Sequence, residues 1–303
     1  MRRLPLWFFL AALAAAQLAL GAPACGGHAD PTTMLVTPAW VAQHLKDPKL
    51  VILQIGPDGS YEKGHIPGAQ QIDLDDVALR MGPTGLSTEL PPMATLAETL
   101  EKMGVSTDSR IVLYNDAKWF SPMTRVFLTL DAMGLGAHTA VMDGGSAAWL
   151  ADGHSLTTEK STVKPGKIET CPQNDVIADL DYLKSHLHHA GVAILDVRSA
   201  ADHARTDATR RSRAGHIPGT ASLPFEMLVE ESGKFKPVAE LKSIFAAAGV
   251  KPGDRVVSYC YVGQRATVVY FIARYLGYDA RLYDGSWEEW NKHSELATEI
   301  SAK

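Results

Sequence analysis

Short β-branched runs alternate with amphipathic helical patterns along most of the chain. The runs include "LVIL", "RIVLY" and "HTAVMD" in the first half and "VAILDV", "RVVSY" and "RLYD" in the second. Between them lie segments such as "LAETLEKMGV", in which apolar residues recur at the spacing of one helix face. Strands that alternate with helices in this way form parallel sheets covered by helices on both faces. The pattern therefore predicts an α/β fold.

The two halves of the chain repeat this pattern in the same order. Residues 96–115, "LAETLEKMGVSTDSRIVLYN", align without a gap with residues 241–260, "LKSIFAAAGVKPGDRVVSYC". Before them "KGHIPGAQQIDL" matches "AGHIPGTASLPF", and after them "VMDGGSAAWL" matches "LYDGSWEEWN". Such internal similarity indicates a duplicated domain. We predict a first domain over residues 30–150, a polar linker over 151–173 and a second domain over 174–303.

The first thirty residues have the organisation of an export signal. Arg2 and Arg3 precede the apolar run "LPLWFFLAALAAAQLALGA", and the small residues of "APACGG" follow it. This order predicts a signal peptide over residues 1–24, or one that extends to residue 29, because a small-residue exit suits a signal peptidase. A membrane anchor is the less favoured interpretation of the same run. We expect an exported, periplasmic protein, with a lipoprotein anchored through Cys25 as the alternative.

The charge balance excludes some partners. The chain has 303 residues, of which 46% are apolar and 21% charged, as expected of a globular protein. It carries 29 Lys and Arg against 34 Asp and Glu, and the predicted signal contains two of the arginines and none of the acids. A net acidic mature chain argues against nucleic acid or an acidic membrane surface as partner. We expect no membrane contact unless Cys25 is lipidated.

Cysteine is sparse, which argues against a domain built on disulfides. The sequence contains three cysteines, and those after the signal region are Cys171 and Cys260. A disulfide-based exported domain shows an even set at regular spacings. We expect Cys171, in a polar stretch before Pro172, to be a free surface or half-buried thiol. A bridge between Cys171 and Cys260 is the less favoured alternative.

Cys260 stands where an apolar run ends and a helical pattern begins, in "VVSYCYVGQRATVVYF". In parallel sheets, sites form where strands end and helices begin. A thiol reacts as its thiolate, and a helix N-terminus stabilises an anion by about 0.3–1 kcal/mol. Gly263 would let the loop curl without a side chain in the way. The backbone N–H groups of the loop would bind the anion, and Arg265 would add a positive charge. The first copy has Asn115 at this position. The sequence therefore predicts a nucleophile at Cys260, with a merely buried thiol as the plain alternative.

The second copy carries further charges that the first copy lacks. Asp196 and Arg198 end the strand "ILDVR", where the first copy has "LQIGP". We predict either a salt bridge or a substrate contact for this pair. The loop before the second "GHIPG" is longer than its counterpart and contains four arginines, at positions 205, 210, 211 and 213. Of these, Arg211 and Arg213 are predicted to bind an anionic substrate.

Other candidates have plainer explanations. His65 and His216 lie in the two copies of "GHIPG". Because the motif recurs in the copy without a cysteine, we predict that both histidines shape the turn rather than act as general bases. We predict that Trp287 and Trp290 of "GSWEEW", with Trp149 as counterpart, are core residues.

These motifs resemble the rhodanese family over nearly the whole mature chain. "GHIPGA" and "GHIPGT" look like its first signature, "YDGSWEEW" looks like its C-terminal one, and "CYVGQR" is similar to its six-residue active-site loop. A tandem with cysteine only in the second domain is similar to the thiosulfate and 3-mercaptopyruvate sulfurtransferases. The resemblance implies two tandem rhodanese-like domains, the first inactive. It also implies transfer of sulfane sulfur from a small anionic donor, through a Cys260 persulfide, to cyanide or to a thiol, free or on a protein.

The resemblance also implies which residues form the persulfide loop and that the reaction needs no cofactor. The residues implied in the persulfide loop are Tyr261, Val262, Gly263 and Gln264, between the catalytic Cys260 and Arg265. No metal or organic cofactor is expected. "CYVG" matches neither the thiosulfate nor the mercaptopyruvate branch, and Asp202 stands where the latter commonly has arginine, so the identity of the donor stays open. Thiosulfate is the first-choice donor and 3-mercaptopyruvate the second.

Two alternatives remain at this point. Phosphatases and arsenate reductases of the same fold need an arginine six positions after the cysteine, whereas Arg265 is five positions after Cys260. The shorter loop suits one sulfur atom better than a phosphate. A non-catalytic rhodanese-like module, which binds a partner or carries sulfur without turnover, is the other alternative.

Overall fold

Alternating strands and helices build two parallel sheets, one from each half of the chain. The computed structural model describes residues 27–116, 120–208 and 213–300. The predicted signal peptide over residues 1–24, Cys25, Arg210 and Arg211 lie outside the described residues.

The first domain has five described strands and six described α-helices. Its strands are β1 (Leu35–Val36), β2 (Leu50–Ile55), β3 (Gln70–Gln71), β4 (Arg110–Asn115) and β5 (Thr139–Met142). Its α-helices are α1 (Pro38–His44), α2 (Ser60–Lys63), α3 (Leu74–Val77), α4 (Met93–Lys102), α5 (Phe120–Ala132) and α6 (Gly145–Ala151). Short 3-10 helices lie at Pro31–Thr33 and Gly136–His138.

The second domain repeats this arrangement with one α-helix fewer in the described part. Its strands are β6 (Ile177–Ala178), β7 (Val192–Asp196), β8 (Ala221–Ser222), β9 (Arg255–Tyr259) and β10 (Asp279–Tyr283). Its α-helices are α7 (Leu180–His186), α8 (Ala200–His203), α9 (Val238–Ala247), α10 (Ala266–Tyr275) and α11 (Ser286–Lys292). A 3-10 helix lies at Phe225–Leu228.

Both sheets have the same strand order. The first runs β1-β5-β4-β2-β3 and the second β6-β10-β9-β7-β8, and all of these pairs are parallel. The α/β class and the duplicated parallel sheets predicted from the sequence are confirmed. In the second sheet Asp196 pairs with Tyr259, which places the end of β7 beside the residue before Cys260.

Local sequence signals explain where several helices begin. The Thr37 hydroxyl accepts a hydrogen bond from the Trp40 N–H at 3.1 Å, and Pro38 occupies the first helical position of α1. The Asp179 carboxylate accepts from the Tyr182 N–H at 2.7 Å at the start of α7. Such caps satisfy N–H groups that have no partner inside the helix.

The two domains share one apolar core, in which α5 packs against α10. Phe127 and Phe271 meet edge to face there, with ring centroids 4.8 Å apart. An aromatic pair of this kind adds about 0.5–1.5 kcal/mol beyond the burial of its area. The shared core therefore holds the carboxyl end of the second sheet against the first domain.

The segment between the domains lies along the first domain. Thr157 and His65 exchange two backbone hydrogen bonds, of 2.9 and 2.8 Å, and the Gly166 N–H donates to the Glu101 carbonyl at 2.8 Å. Within the described ranges, none of the helices combines the length and the apolar character that crossing a membrane would need.

Candidate functional site

Cys260 lies between β9 and α10, at the carboxyl edge of the second sheet. Its side chain is buried, with 2% of the residue exposed, and its thiol is free. The four residues after Cys260 form bends, and Arg265 occupies the N-cap position of the helix that follows, without a capping hydrogen bond from its side chain. The chain thus makes a tight loop from the end of a strand to the start of a helix, with the thiol at its base.

Gly263 allows this loop to pass close to another segment. Its φ is +80°, a conformation that L side chains rarely adopt. A Cβ at this position would lie 2.6 Å from the Asp284 carbonyl oxygen and 2.8 Å from its Oδ1. Both the backbone conformation and the space therefore require glycine.

The start of α11 holds the base of the loop. The Trp287 N–H donates to the Cys260 carbonyl at 3.0 Å, and the Glu288 N–H donates to the Tyr261 carbonyl at 2.8 Å. The Ser286 hydroxyl accepts from the Cys260 N–H at 3.2 Å and donates to the Tyr283 carbonyl at 2.9 Å. Ser286 has a φ of +52°, which is unusual for a residue with a side chain. The motif "YDGSWEEW" therefore has a structural role, because its residues hold the backbone of the cysteine loop.

Several N–H groups of the loop are left available. Within the described residues, the backbone N–H groups of Val262, Gly263, Gln264 and Arg265 donate to no acceptor. Successive unpaired N–H groups in a tight turn form a concavity that binds anions. The loop can therefore receive negative charge next to the Cys260 sulfur.

Arg265 is the cation that directly borders the loop. It is exposed, and its guanidinium carbon lies 6.0 Å from the centroid of the Phe225 ring. An exposed guanidinium beside the loop can meet an anionic donor as it arrives. The catalytic role of Arg265 stays a prediction.

The first domain also contacts the loop, which the sequence did not predict. The Thr88 hydroxyl donates to the Val262 carbonyl, and the Ser87 N–H donates to Glu288 at 2.9 Å. The Thr124 and Thr267 hydroxyls lie 2.7 Å apart where α5 meets α10. The cysteine loop of the second domain is therefore also held by the first domain.

Arg125 forms a buried ion pair between the two domains. It is fully buried, and its Nη1 donates to the Asp284 carboxylate at 2.5 Å, while its Nη2 donates to the Thr88 carbonyl. Asp284 is the residue against which Gly263 packs. The signal in the sequence was a single arginine inside the apolar helix "FSPMTRVFLTLDA", which gives no indication of its partner 159 residues away.

Asp196 and Arg198 form a buried ion pair. The Asp196 carboxylate accepts from Arg198 Nη2 at 2.7 Å and from His203 Nδ1 at 3.0 Å. Burial alone would raise the pKa of Asp196, but the hydrogen bonds from His203 and Arg198 outweigh it and hold the pKa below its ordinary value. Arg198 also stacks over the Trp287 ring at 4.3 Å. The structure therefore shows the salt bridge, and a direct contact of either residue with substrate stays a prediction.

The arginines of the loop before the second "GHIPG" have different partners. Arg205 pairs with Asp202 on the surface. The Arg213 guanidinium donates to the carbonyls of His293, at 3.0 Å, and Leu296, just beyond the end of α11. That end lies roughly 9 Å along the helix from its start at the cysteine loop. These contacts do not test the predicted contact of Arg213 with substrate, which stays a prediction. Arg211 lies outside the described residues.

The two repeated histidines hold turns. His65 is buried, with its ring nitrogens 2.9 Å from the Tyr61 carbonyl and 3.0 Å from the Glu159 carbonyl. His216 is buried too, and its Nδ1 lies 2.9 Å from the His203 carbonyl. Burial lowers the pKa of His216 and favours its neutral form. The predicted structural role of both histidines is confirmed.

One expectation about the cysteines was wrong. Cys171 is disulfide-bonded rather than free, and Cys260 is not its partner because Cys260 is free. The polar surroundings of Cys171 in the sequence did not reveal this bond. A bridge that would inactivate the Cys260 thiol is thereby excluded.

We expect Gly263→Ala to lower kcat/KM for sulfur transfer by about tenfold to a hundredfold, because its methyl group must displace Asp284 and the loop. Gly277→Ala is the matched control, since Gly277 has a φ of +86° and a Cβ there would have no neighbour within 4 Å. Both variants lose roughly 1–3 kcal/mol of stability from the left-handed backbone. Steady-state kinetics of the folded proteins check this, and equal activity losses in the two variants would contradict it.

We expect Asp196→Asn to lower the free energy of unfolding by roughly 2 kcal/mol at pH 7, because Arg198 loses its charged acceptor. The folded-state pKa of Asp196 lies below its ordinary value of 3.8, so its stabilisation is present above that pH and is lost as the pH falls through the folded-state pKa. The difference from wild type should therefore shrink below about pH 4. Denaturant unfolding at several pH values measures this. A changed KM with unchanged stability would instead assign the pair to the substrate.

Comparison with known proteins gives one family. The Rhodanese-like domain family matches the chain twice, at residues 37–152 and 179–293. The sulfur carrier protein TtuD of Thermus thermophilus is 33% identical over 284 residues, which cover 87% of this chain and 95% of the relative. A thiosulfate sulfurtransferase of Pseudomonas aeruginosa is 27% identical over 271 residues, 88% of this chain and 97% of the relative. The crystal structure of SseA from Escherichia coli, a 3-mercaptopyruvate sulfotransferase, superimposes with a TM-score of 0.72 at 27% identity and covers 84% of this chain and 99% of SseA.

Proposed function

The chain belongs to the rhodanese-like domain family, and from this premise we propose that it is a sulfurtransferase that carries sulfane sulfur on Cys260. The observation that carries the proposal is the free Cys260 thiol at the base of a loop in which the N–H groups of residues 262–265 have no acceptor among the described residues. The names of the relatives, which include sulfurtransferases and a sulfur carrier, support the same reaction class.

The reaction has two steps that return the enzyme to its starting state. The Cys260 thiolate attacks the outer sulfur of thiosulfate, an Sγ–S bond forms, and the S–S bond of the donor breaks as sulfite leaves with the electron pair. A nucleophilic acceptor, cyanide or a thiolate, then attacks the terminal sulfur and releases the Cys260 thiolate. Covalent catalysis of this kind gives ping-pong kinetics.

The loop would stabilise the charge on the sulfur at both steps. Hydrogen bonds from fixed N–H groups to an anion are about twice as strong as neutral ones. The loop is already held by Trp287 and Glu288 on one side and by Thr88 on the other, so little reorganisation accompanies the reaction. Arg265 would favour the approach of the anionic donor.

Thiosulfate is the proposed donor, with 3-mercaptopyruvate second. At the position where the mercaptopyruvate branch commonly has arginine, this chain has Asp202, which is paired with Arg205. Asp202 therefore offers no cation to the carboxylate of mercaptopyruvate, and this missing contact favours thiosulfate as donor. We further propose that the protein is exported by its N-terminal segment and that it acts on a thiol acceptor outside the cytoplasm.

The test is to incubate the purified protein with each donor in turn and to measure its intact mass and initial rates. We expect one added sulfur atom with thiosulfate, its loss on addition of cyanide with formation of thiocyanate, and a lower kcat/KM with 3-mercaptopyruvate. The reverse preference would overturn the donor assignment and keep the reaction class. Hydrolysis of phosphate esters without a persulfide would favour a phosphatase, and absence of both would favour a binding module.

We expect Arg211→Ala to raise KM for thiosulfate by about tenfold with little change in kcat, because a lost cation weakens binding of the anionic donor equally in the ground and transition states. Arg213→Ala is the comparison: it is also predicted to raise KM, and the contacts of Arg213 beyond the end of α11 predict an additional loss of stability of about 1–2 kcal/mol. Initial rates and unfolding curves of both variants measure these effects. An unchanged KM in Arg211→Ala would remove this arginine from the site.

A further inference from the structure

Groups around the cysteine loop, residues 260–265, donate hydrogen bonds to its carbonyl groups. The acceptors include the carbonyls of Cys260, Tyr261, Val262 and Gln264, and their donors are, in that order, the N–H groups of Trp287 and Glu288 and the hydroxyls of Thr88 and Thr267. Three of these donors belong to the second domain. Thr88 is the donor that the first domain supplies.

A hydrogen bond to a carbonyl group also fixes the direction of the next N–H group. The peptide unit is planar, and in its trans form the C=O and N–H bonds point in opposite directions. All described peptide bonds are trans. By holding the Val262 carbonyl, the Thr88 hydroxyl therefore turns the Gly263 N–H to the opposite side, and this N–H has no acceptor among the described residues.

Thr88 is held in an unusual backbone conformation. Its φ is +60°, which is rare for a residue branched at Cβ, and the residue is buried. The gap-free alignment of residues 96–115 with 241–260, continued toward the N-terminus, places Gly233 opposite Thr88. Gly233 has a φ of +87°, which glycine adopts without steric cost. The first domain therefore has a strained side chain where its copy has the residue that this conformation favours.

The neighbours of Thr88 fix this strained conformation. The Arg125 guanidinium donates to the Thr88 carbonyl. The Ser87 N–H donates to the Glu288 carboxylate at 2.9 Å, and the Glu288 N–H donates to the Tyr261 carbonyl at 2.8 Å. Strained residues persist only where their surroundings fix them, and they are concentrated at functional sites. What Thr88 contributes, and a glycine could not, is the hydroxyl that contacts the loop.

We propose that Thr88 is a positioning residue for sulfur transfer: its hydroxyl holds the Val262 carbonyl so that the Gly263 N–H is directed at the negative charge on the Cys260 sulfur. This inference rests on the proposed function. A donor that is already oriented stabilises developing charge without reorganisation during the reaction. The first domain, which contains no cysteine over residues 30–150, thereby takes part in the reaction of the second.

The test compares the rates at which variants of Thr88 take up sulfur from thiosulfate. Thr88→Val keeps the shape of the side chain and removes its hydroxyl. At saturating thiosulfate we expect persulfide formation about tenfold slower than in wild type, less than the hundredfold or more that loss of an entire donor costs. The half-saturating concentration should change by less than about twofold, because the effect is on the reacting sulfur and not on binding of the donor. Intact mass of samples quenched at successive times measures these rates.

Thr88→Ser tests whether the hydroxyl is the group that matters. A serine hydroxyl can donate to the same carbonyl, so this variant should react within about twofold of the wild-type rate.

Thr88→Gly separates positioning from stability. It lacks the hydroxyl, so it should take up sulfur as slowly as Thr88→Val. Its thermal midpoint should be at least as high as that of Thr88→Val, because glycine relieves the strain at a φ of +60°. A side chain that only stabilised the fold would instead give rates that follow the thermal midpoints.

Thr129→Val is the matched control. Thr129 is fully buried in α5, and its hydroxyl donates to the Val77 carbonyl at 3.3 Å. Within the described residues neither of the two is hydrogen-bonded to the cysteine loop. This variant loses the same kind of bond and should take up sulfur at the wild-type rate.

The outcomes distinguish this inference from the proposed function. A wild-type rate in Thr88→Val or Thr88→Gly, a Thr88→Ser protein as slow as Thr88→Val, or equal slowing in Thr129→Val would each overturn the role of Thr88 and leave sulfur transfer in place. A wild-type protein that takes up no sulfur would overturn the proposed function, and this inference with it.

Discussion

The Cys260→Ser protein will gain no sulfur from thiosulfate, and its kcat/KM for sulfur transfer will fall at least a thousandfold, on the order of 4 kcal/mol of transition-state stabilisation. A serine hydroxyl is not ionised at neutral pH and cannot form the Sγ–S bond. The loop should keep its shape, because its contacts with Ser286, Trp287 and Glu288 involve the backbone of the loop and not the sulfur. Intact mass and initial rates with cyanide as acceptor measure both effects.

Cys171→Ser is the matched control for this prediction. It removes the other described cysteine, whose bond does not involve Cys260. That variant should still gain one sulfur atom with donor and lose it with acceptor. A persulfide that forms in Cys260→Ser but not in Cys171→Ser would contradict the proposal, because it would place the persulfide on Cys171.

Arg125→Met will lower the free energy of unfolding by about 3–5 kcal/mol, the cost of leaving one member of a buried ion pair without its partner. Met fills a similar volume, so the loss comes from the charge rather than from a cavity. Asp284 would lose its ion-pair partner beside Gly263, and we expect kcat/KM of the folded protein to fall by at least tenfold as the loop loses its fixed position. Denaturant unfolding and kinetics in the native baseline measure the two effects separately.

A double-variant cycle with Asp284→Asn isolates the pair. If the two side chains act through each other, the double variant will be less destabilised than the sum of the two single variants. Arg110→Met is the surface control, since Arg110 is exposed in the first domain and stacks over Trp40. It should change stability by about 0.5 kcal/mol or less. Equal losses in Arg110→Met and Arg125→Met would contradict the importance of the buried link.

The secondary structure was predictable because it is encoded in short windows of the sequence. "RVVSY" became β9 with the same bounds, and "RIVLY" became all but the last residue of β4. Apolar β-branched residues between helical patterns predict buried parallel strands, and this signal does not depend on distant parts of the sequence. The prediction for β10 was two residues too short at its start, because Asp279 and Ala280 carry no strand signal of their own and pair with β9.

The charged residues were harder to place, because their partners lie far along the chain. Asp196 and Arg198 are close in sequence, and a salt bridge between them was among the predictions. The substrate role of Arg213 stays a prediction, and the sequence did not indicate that its guanidinium would also contact the carbonyl of His293, 80 residues away. The distance of a residue from a motif along the sequence does not indicate which groups its side chain contacts in the folded protein.

The sequence by itself determined the duplicated α/β architecture, the junction at which Cys260 lies and the family to which the chain belongs. These follow from periodicity and from short motifs, whose physical causes act over a few residues. The tertiary structure alone decided that Arg125 and Thr88 of the first domain reach the cysteine loop of the second, that α11 holds the loop carbonyls, and that Cys171 is bonded. Each of these contacts joins groups whose meeting depends on how the two sheets pack, and no local window of sequence contains that information.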